Sequence, residues 1–390
     1  MGALSAITGW GLSDLSRRPG PKITDLAKDA CSAALSDAGV EHADIDGLIL
    51  GQSDILEKSE LTIAFQHSLG LGSLNLLTIT EGKGTTVLQM IQHATLAVQA
   101  SMAKTVLCVF ADTPIMDKRK AGQNFARPSK IMNIPDWEIG YGCYGAIGSY
   151  ALAASAYKAR DGLGNDAFAG YVETCRQWAA MNSDAFLRDP INIEDYLSSM
   201  QIVEPLRLLD CAYPVNGAAA FIVTRIEQSE AINHSPVYVH GLGQGHNRRS
   251  ALTALINNES TGAGAASHNA LSQARLSASD IDCLQIYDAF SFSGQFGLEE
   301  FGFVPRGAAY EFVSAGEIGP GGKLPTNTGG GQLSSYYLQG ATPLVEGLQQ
   351  AAGRAGTRQV QKNDTVFVTN SGGCLEFHAT LVLSPHRTLS

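Results

Sequence analysis

ALSDAGVEHADIDGLILG, residues 34–51, is answered by ALSQARLSASDIDCLQIY, residues 270–287, at an offset of 236 with no gap and eight of the 18 paired positions identical. Each copy runs from a helix end through a polar turn into a short apolar run. The segments downstream of the two copies match in kind. A glycine turn leads into a helix (TTVLQMIQHATLAVQA in one half, GATPLVEGLQQAAG in the other) and then a strand (KTVLCVFAD, DTVFVTNSGG). The chain therefore reads as a duplicated helix–strand unit.

Alternating helices and strands argue for α/β layering. The helix TDLAKDACSAALSDAG precedes the first copy, and GAAAFIVTRIEQSEAINHSPVYVHGLG reads as a strand, a polar connection and a second strand. This places the boundary near residue 230, with halves 1–230 and 231–390. Between the repeats, about residues 113–205, lies WEIGYGCYGAIGSYALAASAY and then YVETCRQWAAMNSDAFL, mostly helical by apolar spacing. That segment is too long for an ordinary loop and is expected to cover a site.

At 390 residues the chain can bury an adequate core without staples. Seven cysteines without CxxC spacing suggest neither a disulfide framework nor a zinc knuckle, so a reducing cytoplasm fits best. The opening MGALSAITGWGLSDLS lacks the pattern of a signal peptide, and no run approaches a membrane span, so a soluble, unexported protein is expected. A formal charge of -10 argues against broad nucleic-acid binding. The nine histidines show no HxH or HExxH spacing, and no metal or other cofactor is expected in this chain.

Helix starts led by glycine present free N–H groups and the positive end of the helix dipole, which stabilise an oxyanion or enolate. Two junctions qualify. ITEGKGTTVLQ carries Glu81, Gly82, Lys83 and Gly84; NTGGGQLSSYYLQGAT carries Gly329, Gly330, Gly331, Tyr336 and Tyr337. A third polar turn, YDAF, brings Tyr287 and Asp288. Tyrosine at such a place is ordinarily a packed ring with a bonded hydroxyl. Glu81 reads equally as an acid/base group or as a carboxylate favoured at a helix start, and Lys83 as a Schiff-base amine or a surface contact.

Over essentially its whole length the chain resembles the thiolase superfamily. PLRLLDCAYPVNGAAAFIV is similar to the strand–turn before the duplicated second half of that fold, and GATPLVEGL to the helix after its GHPxGAT loop. Against sterol-carrier-protein-type thiolases, NTGGGQLSSYYLQGAT puts Tyr337 where they carry a histidine. YDAF likewise puts Tyr287 at the histidine of their HDCF. Where a thiolase has its nucleophilic Cys-x-x-Gly, this chain has Glu81-Gly82-Lys83-Gly84, and the cysteine of the biosynthetic CxG motif falls at Asn370, with Cys374 close behind. The resemblance implies duplicated βαβαβαββ halves in a layered α-β-α-β-α core with a helical covering region.

Without the thiol and histidines, thiolytic chemistry lacks its nucleophile and base. The tyrosine pattern is similar to the steroid side-chain-cleaving aldolases. Those enzymes split a β-hydroxyacyl-CoA, for a steroid a 17-hydroxy-acyl-CoA, into a ketone and a short acyl-CoA such as propionyl-CoA or acetyl-CoA. The resemblance implies Tyr287 and Tyr337 as the acid/base pair. Asp288 reads equally as orienting Tyr287 or as satisfying a turn, and the two glycine turns (Gly82, Gly84; Gly329, Gly330, Gly331) are the candidate enolate donors. A phenol of ordinary pKa, about 10, donates readily and serves as a base only when shifted downward. Lys118, Arg119, Lys120, Arg127 and Lys130 are candidates for the CoA phosphates, against the commoner reading of a solvated basic face.

Partners implied by the resemblance are a homodimer through the core and a separate OB-fold/zinc-ribbon protein completing a heterotetramer, any zinc belonging to that partner. Two other readings stand beside the lyase: an atypical acyltransferase using Cys374 or a borrowed thiol, and a non-catalytic thiolase-like subunit.

Overall fold

The computed structural model describes residues 2–53, 63–117, 145–229, 236–247 and 250–389. In the first half a long helix α1 (Ile23–Ala38) ends at Gly39, whose φ of 65° turns the chain back. A single 3₁₀ turn comes next, with the Glu41 N–H donating to the Asp44 carboxylate, and then the strand begins. The second half repeats this with the helix Ala263–Ala274, Arg275 at φ 58°, and the Ser277 N–H on the Asp280 carboxylate. Offset by 236 residues, every one of these positions has its counterpart, so the repeat read from sequence is a repeat of backbone.

The strands are β1 (Ser5–Leu12), β2 (Gly47–Gly51), β3 (Leu76–Thr80), β4 (Thr105–Asp112), β5 (Gln201–Val203), β6 (Leu206–Arg207), β7 (Gly217–Thr224), β8 (Val237–His246), β9 (Cys283–Gln285), β10 (Val366–Gly372) and β11 (Phe377–Ser384). Apart from the small β5–β6 ladder they form one sheet in the order β3-β2-β4-β7-β1-β8-β11-β10-β9. Apart from β3, which has no counterpart in the second half among the described residues, the order is symmetric about the β1–β8 contact, where only Ser5, Ala6 and Ile7 pair with Val239, Tyr238 and Val237. Two sheets, one per half, thus meet edge to edge.

Besides α1, the helices that matter here are α2 (Thr86–Gln99), α3 (Gly145–Asp161), α4 (Ala169–Ala180), α5 (Ile193–Ser198), α6 (Ala263–Ala274), α7 (Ser291–Glu300) and α8 (Ala341–Ala351). All eight residues of β4 and of β7 are buried, which requires cover on both faces of the sheet. One apolar cluster joins Val87, Leu88 and Ile91 of α2 to Leu344 and Leu348 of α8 and to the inner strand faces of both halves. A second packs α1 on the outside of the first half, and a third packs α3, α4, α6 and α7 on the second. The layering is α-β-α-β-α, as the sequence implied.

The covering segment is helical in α3, α4 and α5, but it ends in the β5–β6 ladder, which its apolar spacing did not signal. Among the described residues no helix is long and apolar enough to cross a membrane.

Candidate active site

Tyr287 lies just past β9, and Tyr337 stands in the connection before α8. The helix expected to start at the tyrosines starts at Ala341 instead, because a π-type turn, Gly331–Ser335, takes up the chain and leaves Tyr336 extended. Tyr337 is fixed on both backbone sides by the segment leading into β7: its N–H donates to the Tyr213 carbonyl (2.7 Å) and its carbonyl accepts from the Val215 N–H (3.3 Å). The two phenol hydroxyls share a hydrogen bond of 2.8 Å, with the rings edge to face. Tyr287 is buried and Tyr337 half-buried. Residues 50 apart in sequence thus put two proton-carrying oxygens in contact.

Gly84 closes one side of this pair. A β-carbon there would come within 2.8 Å of the Tyr287 hydroxyl oxygen and would collide with the Ser371 carbonyl at the end of β10. Gly340 is as confined, between the Asn370 side chain and the Gly84 carbonyl, and the Asn370 amide donates to the Gly340 carbonyl (3.2 Å). Gly372 packs on Gly82, Lys83 and Gly84. The first-half turn that would hold a thiolase nucleophile therefore lies against the tyrosine pair and the β10 end, with glycine enforced by contact rather than by backbone angle.

The second glycine turn looks elsewhere. A side chain at Gly329, Gly330 or Gly331 would meet Glu346, Ala179 and Asp288 respectively, and Gly330 and Gly331 adopt φ of 103° and 62°. Glu346 is held by a buried ion pair with Arg358 (3.0 Å) and accepts from Thr328 (2.7 Å) and Gln350 (3.1 Å), which fixes the turn from behind. Asp288 points into this same interior and is fully buried. Its carboxylate accepts from the Gln332 N–H (2.8 Å) and faces the Cys175 thiol (3.7 Å). Burial pushes it up to about 7, against the pull of the Gln332 N–H, Asn327 and Cys175.

Glu81 is exposed, and Lys83 takes a left-handed φ of 55° in the first-half turn. Tyr336 is buried in the central apolar cluster, its hydroxyl pushed up by burial. Cys374 is buried in the β10–β11 turn. Lys118, Arg119, Lys120, Arg127 and Lys130 lie outside the described residues. Among the described residues no group of three or more His, Cys, Asp or Glu side chains stands ready to hold a metal ion.

Sequence reasoning missed Tyr150. From α3 it lays its ring on Phe290 of the YDAF turn (4.7 Å between centroids) and donates to the Gly373 carbonyl (3.1 Å). Its own hydroxyl is pushed far up, chiefly by burial and then by Cys374, Glu376 and Tyr337. The one signal for it was the aromatic, glycine-rich run of the covering segment. A cavity of about 350 Å³ lies behind the second glycine turn, lined by Leu12, Asn182, Asp288, Gly331, Glu346 and others, and the tyrosine pair does not line it.

Residues 243–385 match the family model described as thiolase C-terminal domain-like, a span that includes both tyrosines. The chain is 31% identical over 358 residues, covering 90% of each, to a steroid side-chain-cleaving aldolase of Thermomonospora curvata. It is 30% identical over 382 residues to the 17-hydroxy-3-oxo-4-pregnene-20-carboxyl-CoA lyase of Mycobacterium tuberculosis, covering 95% of this chain and 96% of the relative. Among solved structures it is similar to the Ltp2-ChsH2(DUF35) aldolase, with a TM-score of 0.87, 29% identity and 97% of both chains covered. Fold and site define a member of the thiolase superfamily. Within it, the chain belongs to the branch of the steroid side-chain-cleaving aldolases.

Proposed function

We propose that this chain is a carbon–carbon lyase that cleaves a β-hydroxyacyl-CoA by a retro-aldol reaction, with Tyr287 and Tyr337 as its acid/base pair. The observation that carries the assignment is the 2.8 Å contact of the two hydroxyls beside Gly84, at the turn where a thiolase would place its thiol. One phenol oxygen takes the proton of the β-hydroxyl as the Cα–Cβ bond breaks, and the bonding pair passes into the thioester as an enolate. The first tyrosine acts as its phenolate, the other hydroxyl returns a proton to Cα, and a proton crossing their shared hydrogen bond restores the pair, so a ketone and a shortened acyl-CoA leave with no covalent intermediate on the protein. The Gly84 N–H is our assignment for the enolate oxygen, on the strength of the packing of Gly84 against Tyr287, whereas the Gly82 N–H is given to the Thr86 hydroxyl (2.9 Å).

The names of the relatives favour a steroid acyl-CoA with a tertiary hydroxyl at the branch carbon. The lysines and arginines of residues 118–130 are assigned to the CoA phosphates on charge alone. A DUF35-type partner is favoured by the composition of the similar structure, and a second copy by β3, an edge strand with Leu77 and Ile79 more than a third exposed.

Mass spectrometry of the products tests the proposal, with a steroid tertiary β-hydroxyacyl-CoA as substrate and with and without a co-expressed DUF35 protein. A ketone and a shortened acyl-CoA are expected, with Tyr287→Phe and Tyr337→Phe each slower by about 100-fold or more. Full turnover in either variant removes that tyrosine from the mechanism; thiolysis of a β-ketoacyl-CoA by free CoA would overturn the reaction class.

A further inference from the structure

We propose that Asp288 is the positioning residue that holds Tyr287 and Tyr337 in contact, acting through a buried polar cluster with Tyr171, Cys175, Asn327 and Gln332. The inference rests on the lyase reading for its kinetic consequences only; its geometry stands by itself.

Asp288 is the next residue after Tyr287, but the two side chains reach in different directions. Tyr287 meets Gly84 and Tyr337, whereas Asp288 meets Gly331, Gln332 and Cys175. Two tethers run from that carboxylate to the far tyrosine. Gln332 donates its N–H to Asp288, its carbonyl accepts from the Tyr213 N–H (2.9 Å), and the Tyr213 carbonyl accepts from the Tyr337 N–H (2.7 Å). The Gln332 side chain donates to the Gln339 carbonyl (2.6 Å) on the other side of Tyr337. The near tyrosine is tied in as well, because the Ile286 N–H donates to the Asn327 side chain (2.8 Å), and Asn327 in turn bonds the Tyr171 hydroxyl (3.0 Å) and the Asp288 carboxylate.

A carboxylate accepts at both oxygens. The donors gathered here, a backbone N–H, an amide, a thiol and a phenol, leave no place for a second donor. An Asn at this position would set an NH₂ group among donors and open the cluster. The groups facing Asp288 are Tyr171 and Cys175 from α4, both pushed far up chiefly by burial, and only amides from the 327–332 segment. Asp288, pushed up to about 7, is the member that titrates near neutrality. The full acceptor set exists above that pH, and the covering helix α4 is part of what holds it.

Asp288→Asn and Tyr171→Phe are compared with the wild type by steady-state cleavage of the same steroid β-hydroxyacyl-CoA across neutral pH, and by crystal structures. Asp288→Asn is expected to lower kcat by about 100-fold with KM nearly unchanged, since a small misplacement of reacting groups costs rate more than binding. It should also lose the acid limb of the kcat profile and show the two hydroxyls out of hydrogen-bond distance. Tyr171→Phe, which removes one oxygen and keeps the ring, should lower kcat by about fivefold and shift that limb, and it decides the matter if Asp288→Asn does not fold. A wild-type kcat and limb in either variant, or hydroxyls still bonded in Asp288→Asn, overturns the proposal. If the wild type cleaves no β-hydroxyacyl-CoA, the lyase reading falls, and the hydroxyl separation in the crystals alone decides the role of Asp288.

Discussion

Ala111 faces Ala218 where β4 and β7 end; at the matching rung of the second half, Ser371 faces His378. One residue earlier Phe110 is matched by Asn370. At these two rungs the first half carries apolar side chains and the second polar contacts, Asn370 on the Gly340 carbonyl, the Ser371 carbonyl against Gly84, and Ser371 on the His378 ring (3.2 Å); at the last residue the order reverses, the buried Asp112 accepting from Ser53 (2.7 Å) and Gln339 (2.9 Å) where β10 ends in Gly372. Duplication supplies the frame twice, whereas the tyrosine contact is made once, in the second half. The other half contributes a backbone thin enough to approach it.

That division of labour is broken most severely at Gly84. Alanine there collides with the Ser371 carbonyl and lies 2.7 Å from the ring of Tyr287, so backbone or tyrosine must move. We expect Gly84→Ala to lose about 100-fold or more in kcat, and about 1 to 3 kcal/mol of stability, the usual range for overpacking. Turnover and thermal unfolding measured together check this; near-normal turnover would mean that the two halves leave room for a methyl group between them.

The second glycine turn contrasts with the first in being held by charge. Arg358→Met removes the partner of the buried Glu346 and should cost about 3 kcal/mol, the low end for a broken buried pair because Thr328 and Gln350 still donate. Urea unfolding at neutral pH measures it. A loss close to that of an exposed pair would show that the carboxylate is satisfied without the arginine.

Acid should separate the halves too. His378 is buried, and desolvation lowers its ring from 6.5 to about 4; the first-half counterpart, Ala218, does not titrate. The unfolded chain binds the proton near 6.5 and the folded chain only near 4, so this group stabilises the fold above that window. The contribution, about 3 kcal/mol, is lost as pH falls through it. Asp288 has the opposite sign: raised from 3.8 to about 7, it makes the fold less stable as pH rises between those values. The slope of unfolding free energy against pH should therefore flatten below 6.5 in His378→Gln, and an unchanged slope would assign acid sensitivity to other groups.

Much of this was legible in the sequence for one reason: the repeat preserves local chemistry. ADID and SDID write the same 3₁₀ turn twice. The contact of Tyr287 with Tyr337 was legible because the resemblance sets both where sterol-carrier-protein-type thiolases carry histidines. The direction of Asp288 was not, since neighbouring side chains separate only once the sheet and its covering helix are in place. Nor was the failure of the 329–331 turn to face the pair: a GGG run announces free backbone, while what fills the space beside it (Glu346, Ala179, Asp288) comes from three distant segments. Tyr150 was marked only by its aromatic, glycine-rich surroundings for the same reason, its place beside the YDAF turn resting on a contact with Phe290, far along the chain.

The smallest expected effect probes the scaffold itself. Gly39 and Arg275 hold the same left-handed helix end, at φ 65° and 58°, but only glycine does so without a β-carbon crowding the backbone. Relieving that crowding in Arg275→Gly works against the extra freedom glycine gives the unfolded chain, leaving a gain of about 0.5 kcal/mol. Gly39→Ala carries only the penalty and should lose about 1 kcal/mol. Calorimetry of the two variants should show melting shifts of opposite sign with turnover unchanged, because neither residue approaches the tyrosines. Equal shifts of one sign would mean that Arg275 has exchanged the strain for contacts of its side chain, and that the halves diverged in the frame as well as at the strand ends.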